Sequence, residues 1–132
     1  MRSQHADTAE NPDGQLANAI STMVVRVLRD HTGRGPTKSR THLGDEVIAV
    51  ILQNTLTPAE RTLAANGRTD ILLATRRAFQ DTMRPDLIAG VEQLTGRTVA
   101  AAFSDQTISP DIALEFFMLA PEEGAQAASA AA

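Results

Sequence analysis

Residues 37–52 have the sequence TKSRTHLGDEVIAVIL, and the contrast between the two halves of this stretch decides the fold. The first half is mainly polar, whereas residues 46–52 are apolar at all but one position. Gly44-Asp45 between them suits a two-residue hairpin turn. Pairing across this turn places the basic residues of the first strand on one face: Lys38, Arg40 and His42. The stretch therefore predicts an antiparallel hairpin whose second strand is apolar on both faces.

Helical patterns lie on both sides of this hairpin. Before it, apolar residues recur at steps of three and four between Asn11 and Gly33, which are a typical start and stop of a helix. After it, the sequence TPAE at residues 57–60 is typical of a capping box at the start of a short helix. A third apolar stripe runs over residues 69–94 and keeps its phase through Pro85. We therefore predict one long helix that is kinked near the proline.

Two further strands follow the long helix, over residues 98–104 and 111–119. The predicted order is α-β-β-α-α-β-β, an α+β fold of two layers. In it an N-terminal helix and the long kinked helix pack on a four-stranded, mainly antiparallel sheet. We expect a single domain over residues 15–120. The polar segment 1–14 and the alanine-rich segment 121–132 bury too little apolar surface to offset the entropy of ordering, so both are predicted to be disordered tails.

The fourth predicted strand, like the second, is apolar on nearly both faces. A sheet of this kind needs a cover on each side. One solution is a homodimer formed through the second face, which we favour. The other is a monomer whose N-terminal helix and long helix lie on opposite faces of the sheet.

The 132-residue chain has a net charge of −4, and all of it comes from the ends of the sequence. Residues 15–120 carry equal numbers of acidic and basic side chains, so the body lacks the positive field expected of a DNA- or RNA-binding domain. Cys, Trp and Tyr are absent, which excludes thiol chemistry and Cys-containing metal sites and leaves few residues for stacking nucleic-acid bases. We expect no nucleic-acid partner.

No segment of the sequence suits export or membrane insertion. The N-terminal segment is polar and lacks the apolar region of a secretory signal. The longest apolar run, residues 47–52, is far shorter than the ~20 residues of a transmembrane helix. We expect a cytoplasmic protein that does not insert into the membrane directly and that reaches the inner membrane only peripherally, through a partner.

The sequence GRGPTKSR at residues 33–40 resembles a phosphate-binding loop but lacks the required Gly directly before Lys-Ser. It also leads from a helix into a strand, which is the reverse of a Walker loop. The candidate contact residues that remain are Arg34, Lys38 and Arg40, whose cationic groups suit a small anion or an acidic protein surface. Cationic residues on an edge strand also serve simply to prevent edge-to-edge aggregation.

No catalytic or metal-binding pattern is present in the sequence. The histidines lack the His-x-x-x-His and Glu-x-x-His spacings, and no Gly-x-Ser-x-Gly motif occurs. We therefore predict a protein that is not an enzyme, with no catalytic residue, cofactor or metal. The alternative is a free-standing small-molecule-binding protein or small enzyme with a site at the homodimer seam, where Arg34, Arg97 and Asp105 would contact the substrate.

Several other charged residues carry structural expectations. Arg76 and Arg77, together with Asp81, are predicted to form an exposed, ion-paired face of the long helix. Glu115 lies on the same side of the fourth strand as Phe117, where an Arg from another element or subunit is the natural partner.

Four blocks of sequence resemble, in this order, the small bacterial proteins of the MpsC-like family: GRGPTK at residues 33–38, LTPAERTL at 56–63, VEQLTGR at 91–97 and FSD at 103–105. The resemblance covers essentially the whole body and excludes both tails. The sequence differs from the family pattern at Asn54, where the family more often has Gly. Because Asn tolerates a left-handed backbone, we expect a tight turn to persist there.

The family is named for a sodium-translocating, membrane-potential-generating system and was long classed as a domain of unknown function. In that system the membrane subunit resembles a cation-pumping subunit of respiratory complexes, and its soluble companion is linked to inorganic-carbon uptake. The resemblance implies that this chain is a small accessory or binding protein that docks on a membrane ion-transport or bicarbonate-uptake complex. Family members that occur without the rest of the system leave an independent binding role as the alternative.

Overall fold

The computed structural model describes residues 11–122, which form three helices and four strands. The elements are α1 (Pro12–Thr32), β1 (Lys38–Leu43), β2 (Val47–Gln53), α2 (Pro58–Ala65), α3 (Thr69–Thr95), β3 (Val99–Thr107) and β4 (Ile112–Leu119). This is the predicted α+β order, α-β-β-α-α-β-β. Of the two predicted tails, residues 1–10 and 123–132 lie outside the described residues.

The four strands form one antiparallel sheet in the order β1-β2-β4-β3. The turn between β1 and β2 is centred on Asp45 and Glu46, because the N–H of Gly44 donates to the carbonyl of Val47 at 2.7 Å. The predicted Gly44-Asp45 turn is therefore wrong by one residue. The error shifts the strand register by two residues, which leaves each side chain on its predicted face. The observed register pairs residues 48–53 of β2 with the six residues of β1.

Helix ends follow the predicted capping signals closely. The side chain of Asn11 accepts from the N–H of Asp13 at 2.9 Å at the start of α1. Thr57 and Glu60 form the predicted capping box of α2, with backbone-to-side-chain distances of 2.8 and 3.2 Å. Helix α3 runs through Pro85 as one helix. Asn54 has a φ of 63°, so the left-handed turn expected after β2 is confirmed.

Helices α1 and α3 pack on the same face of the sheet, which we call the inner face. Their apolar side chains form one core with the inward-facing residues of β2 and β4: Ile20, Val24, Leu28, Ile48, Val50, Leu52, Met83, Leu87, Val91 and Phe117 are among its members. Helix α2 packs against α3, so all three described helices lie on the inner side. The monomer with helices on opposite faces is therefore wrong, because both long helices share one core.

The opposite, outer face of the sheet has no helix over it among the described residues. Its centre is apolar and is built by β2, β4 and β3: Val47, Ala49, Ile51, Ala101, Phe103, Ile112, Leu114, Phe116 and Met118. Phe103 is 57% exposed and Met118 is 41% exposed. The Phe103 and Phe116 rings lie 6.2 Å apart, centroid to centroid. Large apolar side chains thus remain in contact with solvent on this face.

The crossing of α1 over α3 leaves no room for a side chain at Gly90. A Cβ at this position would lie 2.5 Å from Sδ of Met23. We predict that Gly90→Ala lowers the free energy of unfolding by about 1–3 kcal/mol, because overpacking outweighs the gain in helix propensity. Urea unfolding measures the change. A gain of about 1 kcal/mol, the value for an unconstrained helical glycine, would contradict it.

Candidate functional site

The five predicted contact residues lie in three separate places. Lys38, Arg40 and Asp105 project from the outer face of the sheet. Arg34 lies beside the turn at Asn54, at the end of the sheet where β1 begins. Arg97 lies at the other end, beside the β1–β2 turn. Neither predicted grouping, Arg34 with Lys38 and Arg40 or Arg34 with Arg97 and Asp105, lies within one of these places.

Lys38, Arg40 and His42 form a row of basic side chains along β1, and we call this row the basic edge. All three are exposed, and β1 is an edge strand, as predicted. Within residues 11–122 none of the three side chains makes a hydrogen bond or an ion pair. Together with neighbours such as Ile51 and Gln53 they line an open depression of about 590 Å³. The basic edge therefore offers unpaired cationic groups to a partner.

Asp105 on β3 and Arg40 on β1 lie at opposite edges of the sheet, at the same level along the strands. Arg40 is opposite Ile51 on β2, Ile51 is opposite Leu114 on β4, and Leu114 is opposite Asp105 on β3. Three strand spacings of ~4.8 Å separate the two charged residues by about 14 Å. Among residues 11–122 the Asp105 carboxylate accepts one hydrogen bond, from the N–H of Gln106 at 2.8 Å. Arg40 and Asp105 therefore do not pair within one chain.

Arg34 turns back onto its own chain and supports a turn. Its guanidinium donates to the carbonyl of Asn54 at 3.4 Å, and its carbonyl accepts from the hydroxyl of Thr32 at 2.9 Å. The side chain is half-buried and does not extend along the basic edge. The expectation of a contact role for Arg34 has no support from this placement.

Arg97 likewise holds main-chain carbonyls. It donates to the carbonyl of Asp45 and, at 3.0 Å, to that of Ala120. These bonds fix the start of β3 to the β1–β2 turn. Because Arg34 lies at the far end of strands about 20 Å long, the two arginines do not converge. The structure does not bring Arg34, Arg97 and Asp105 to one substrate position within a chain.

A polar cluster beneath α3 was not predicted. Arg76 is 6% exposed, donates to the side chains of Gln106 (at 2.8 Å) and Thr55, and pairs with Glu60 at 3.4 Å. The prediction that Arg76 is exposed is therefore wrong. Its position, four residues after the buried Leu72, is in phase with the apolar stripe.

The other two residues of the predicted ion-paired face, Arg77 and Asp81, do not pair with each other. Arg77, one residue on, is exposed as predicted. Asp81 pairs with Arg84 at 3.0 Å and not with either of the two preceding arginines. The position of each arginine around the helix thus decides which one is buried. A prediction that considers only the apolar residues of the stripe does not detect the burial of Arg76.

Asp111 locks the connection between β2 and α2. Its two carboxylate oxygens accept from the N–H groups of Thr55 and Leu56, each at 3.0 Å, and from the Thr55 hydroxyl at 3.0 Å. Thr55 in turn accepts from Arg76. The chain of bonds ties β4, the β2–α2 connection and α3 together, which is a structural role.

Glu115 is the one titratable group whose environment strongly changes its protonation among the described residues. It is 3% exposed on the inner face of β4 and accepts a hydrogen bond from the hydroxyl of Ser104. Burial raises the pKa of Glu115 to about 7, against the opposing effects of Ser104 and of the charges on Arg84 and Arg76. The expected arginine partners therefore act on Glu115 through charge.

The raised pKa makes stability depend on pH. The folded state binds the Glu115 proton more tightly than the unfolded state, so this contribution is full below pH 4.5 and is lost as pH rises through about 7. We predict that wild type loses about 1–3 kcal/mol between pH 5 and pH 8 relative to Glu115→Gln, which stays neutral. Urea unfolding at both pH values measures this difference. Glu46→Gln, at an exposed turn, is the control; equal pH slopes for wild type and Glu115→Gln would refute the assignment.

Comparison with known proteins gives one informative result. No curated protein and no solved structure matches this chain. None of the described helices combines the length and the apolar character needed to cross a membrane. The family model described as "Na+-translocating membrane potential-generating system (MpsC)" matches residues 12–121, which is most of the chain. The resemblance found in the four sequence blocks is thereby confirmed, and the chain belongs to the MpsC family.

Proposed function

We propose that this chain is a non-catalytic binding component of a Na+-translocating, membrane-potential-generating system. It docks on an acidic surface of another protein of that system through the basic edge. The family description supports the system, and the contact is supported by one observation: Lys38, Arg40 and His42 are exposed and unpaired along one strand.

The spacing of the basic edge suits a protein surface with several carboxylates. Alternate residues of a strand lie about 6.6 Å apart on the same face, so Lys38 and Arg40 present two cations about 6.6 Å apart, and the His42 ring follows at the same spacing. Single surface ion pairs contribute only about 0–1 kcal/mol each, but a row of them directs encounter and sets orientation. An acidic partner that matches this spacing is favoured over a single small anion, which one cation holds weakly.

The proposed place of action is the cytoplasmic side of the inner membrane, reached through the partner. The partner is an ion-transport or bicarbonate-uptake complex in the membrane. The family's association with a membrane system supports this placement. Binding through exposed charges is sensitive to ionic strength, because salt screens such pairs over about 8–10 Å.

A second candidate function is the binding of a small anionic molecule by a free-standing protein. The open depression of about 590 Å³ beside the basic edge favours it, since Lys38 and Arg40 line its wall. A small anion would compete with the acidic protein for the same cations. The two functions therefore differ in what is recovered with the protein, and not in which residues are needed.

Affinity capture from the host tests the proposal, with soluble and membrane fractions analysed separately. We expect wild type to recover a multi-span ion-transport protein from the membrane fraction, and Lys38→Glu to recover at least about tenfold less, because a reversed charge repels the acidic surface. Arg40 is left unchanged because it shares a row with Asp105.

The matched control is Arg77→Glu, the same change of charge at an exposed position on α3. It should recover as much partner as wild type. Equal losses in the two variants would argue against a specific basic edge. Recovery of no membrane protein by wild type, together with a bound anion that is lost in Lys38→Glu, would favour the second candidate.

A further inference from the structure

The outer face of the sheet carries a pattern that complements itself. Its centre is apolar along β2 and β4, one flank is cationic along β1, and the other flank carries Asp105 on β3. From this pattern we propose that the outer face binds a second copy of the chain, with a two-fold axis parallel to the strands. Arg40 of each copy then pairs with Asp105 of the partner subunit. The proposal does not depend on the docking role of the basic edge.

A two-fold axis parallel to the strands has a definite effect on each row of side chains. Each residue of one copy faces a residue at the same level along the strands of the other copy. The order of the strands across the sheet is reversed, so β1 faces β3 and β2 faces β4. The row Arg40, Ile51, Leu114, Asp105 therefore lies over the same row in reverse order. Arg40 meets Asp105 of the partner subunit at one flank, the same pair recurs at the other flank, and Ile51 and Leu114 meet between them.

The charges distinguish this arrangement from the other face-to-face dimer. A two-fold axis across the strands would place β1 of one copy over β1 of the other. The two basic edges would then oppose each other, and so would the two Asp105 carboxylates. Like charges brought together at an interface oppose association, whereas opposite charges select the register. Charge complementarity therefore favours the axis parallel to the strands.

Side-chain size agrees with the same axis. In the neighbouring row His42, Ala49, Phe116 and Phe103 follow one another across the sheet. Reversal places the small Ala49 over Phe116 of the partner subunit, and His42 over Phe103 of the partner subunit. Facing sheets pack about 10 Å apart with interdigitated side chains, so a small residue opposite a large one fills this gap well. Phe103, which is 57% exposed in the single chain, is covered.

The arrangement also leaves the docking cation free. In the third row Lys38, Gln53, Ile112 and Thr107 follow one another, so Lys38 lies over the neutral Thr107 of the partner subunit. Lysine at the rim extends its amino group beyond the sheet edge. A dimer of this kind takes Arg40 for self-association and covers His42, so of the basic edge only Lys38 remains available to an acidic protein.

Charge reversal on the full-length purified protein tests the pairing. Sedimentation equilibrium over roughly 1 µM to 1 mM gives the dimer dissociation constant. We expect Arg40→Asp and Asp105→Arg each to weaken association at least tenfold. The double variant Arg40→Asp/Asp105→Arg should recover to within about threefold of wild type. Because about 14 Å separates the two residues within a chain, recovery requires a contact between copies.

Two controls keep the outcomes distinct. Arg77→Asp, an equal charge reversal on exposed α3, should leave the dissociation constant unchanged, and so should Lys38→Glu. Circular dichroism verifies that the reversed variants fold, as expected for exposed side chains. Loss of capture in Lys38→Glu with dimerisation intact would separate docking from self-association.

Several results would overturn the proposal. A monomeric wild type at all concentrations would do so, and a dimer formed only after removal of residues 123–132 would assign the outer face to that segment. If neither single charge reversal changes the dissociation constant of the dimer, the interface lies elsewhere on the molecule. Two weakened single variants without recovery in the double variant would reject the axis parallel to the strands.

Discussion

The two central strands, β2 and β4, carry apolar side chains on both faces, and the rest of the molecule depends on how these faces are covered. The inner face is covered by α1 and α3, whose side chains share one core with Ile48, Val50 and Phe117. Buried apolar surface contributes about 25 cal/mol per Å², so this core stabilises the packing of both helices on the sheet. Both helices lie on one side, and the described chain leaves the outer face without a second layer. The same strand composition that builds the core therefore also creates an apolar surface.

The buried polar cluster is the second constraint on the fold. Burying Arg76 and Glu115 costs desolvation, which is offset only where each group finds partners. Arg76 is satisfied by Thr55, Glu60 and Gln106, and so it joins α2, α3, β3 and the β2–α2 connection. The cluster explains why the short α2 has a fixed position although it contributes little to the core. Arg76 is bonded to its three partners and Glu115 to Ser104, so these interior groups stabilise the fold and are not presented to a partner.

Local signals in the sequence were enough for most of the fold. Capping residues such as Asn11 and Thr57 predict helix ends because their side chains satisfy nearby backbone groups, which needs no tertiary information. The face of each strand was correct although the turn was misplaced, because a shift of two residues preserves alternation. The burial of Arg76 was missed because a charged residue in an apolar stripe becomes stable only with partners from three other elements. Such partners come from residues as distant as Gln106, and sequence periodicity does not contain them.

The residues of the candidate site likewise differ in how well the sequence predicted their placement. Lys38 and Arg40 lie in a strand, so their exposure and common face followed from alternation. Arg34 and Arg97 lie in connections, where the direction of a side chain is set by nearby carbonyls such as those of Asn54 and Asp45. Placement on regular elements was therefore predictable, and convergence between loops was not.

Charge on the two edge strands has more than one physical consequence. Cations on β1 discourage the pairing of this edge with another strand, which is the ordinary hazard of an open sheet. They do not prevent approach to the outer face, because its centre is apolar and its flanks differ in sign. Apolar contact supplies the strength of an association on such a face, and charge determines its orientation. The fold thus separates an edge guarded against strand pairing from an apolar face that stays open to association.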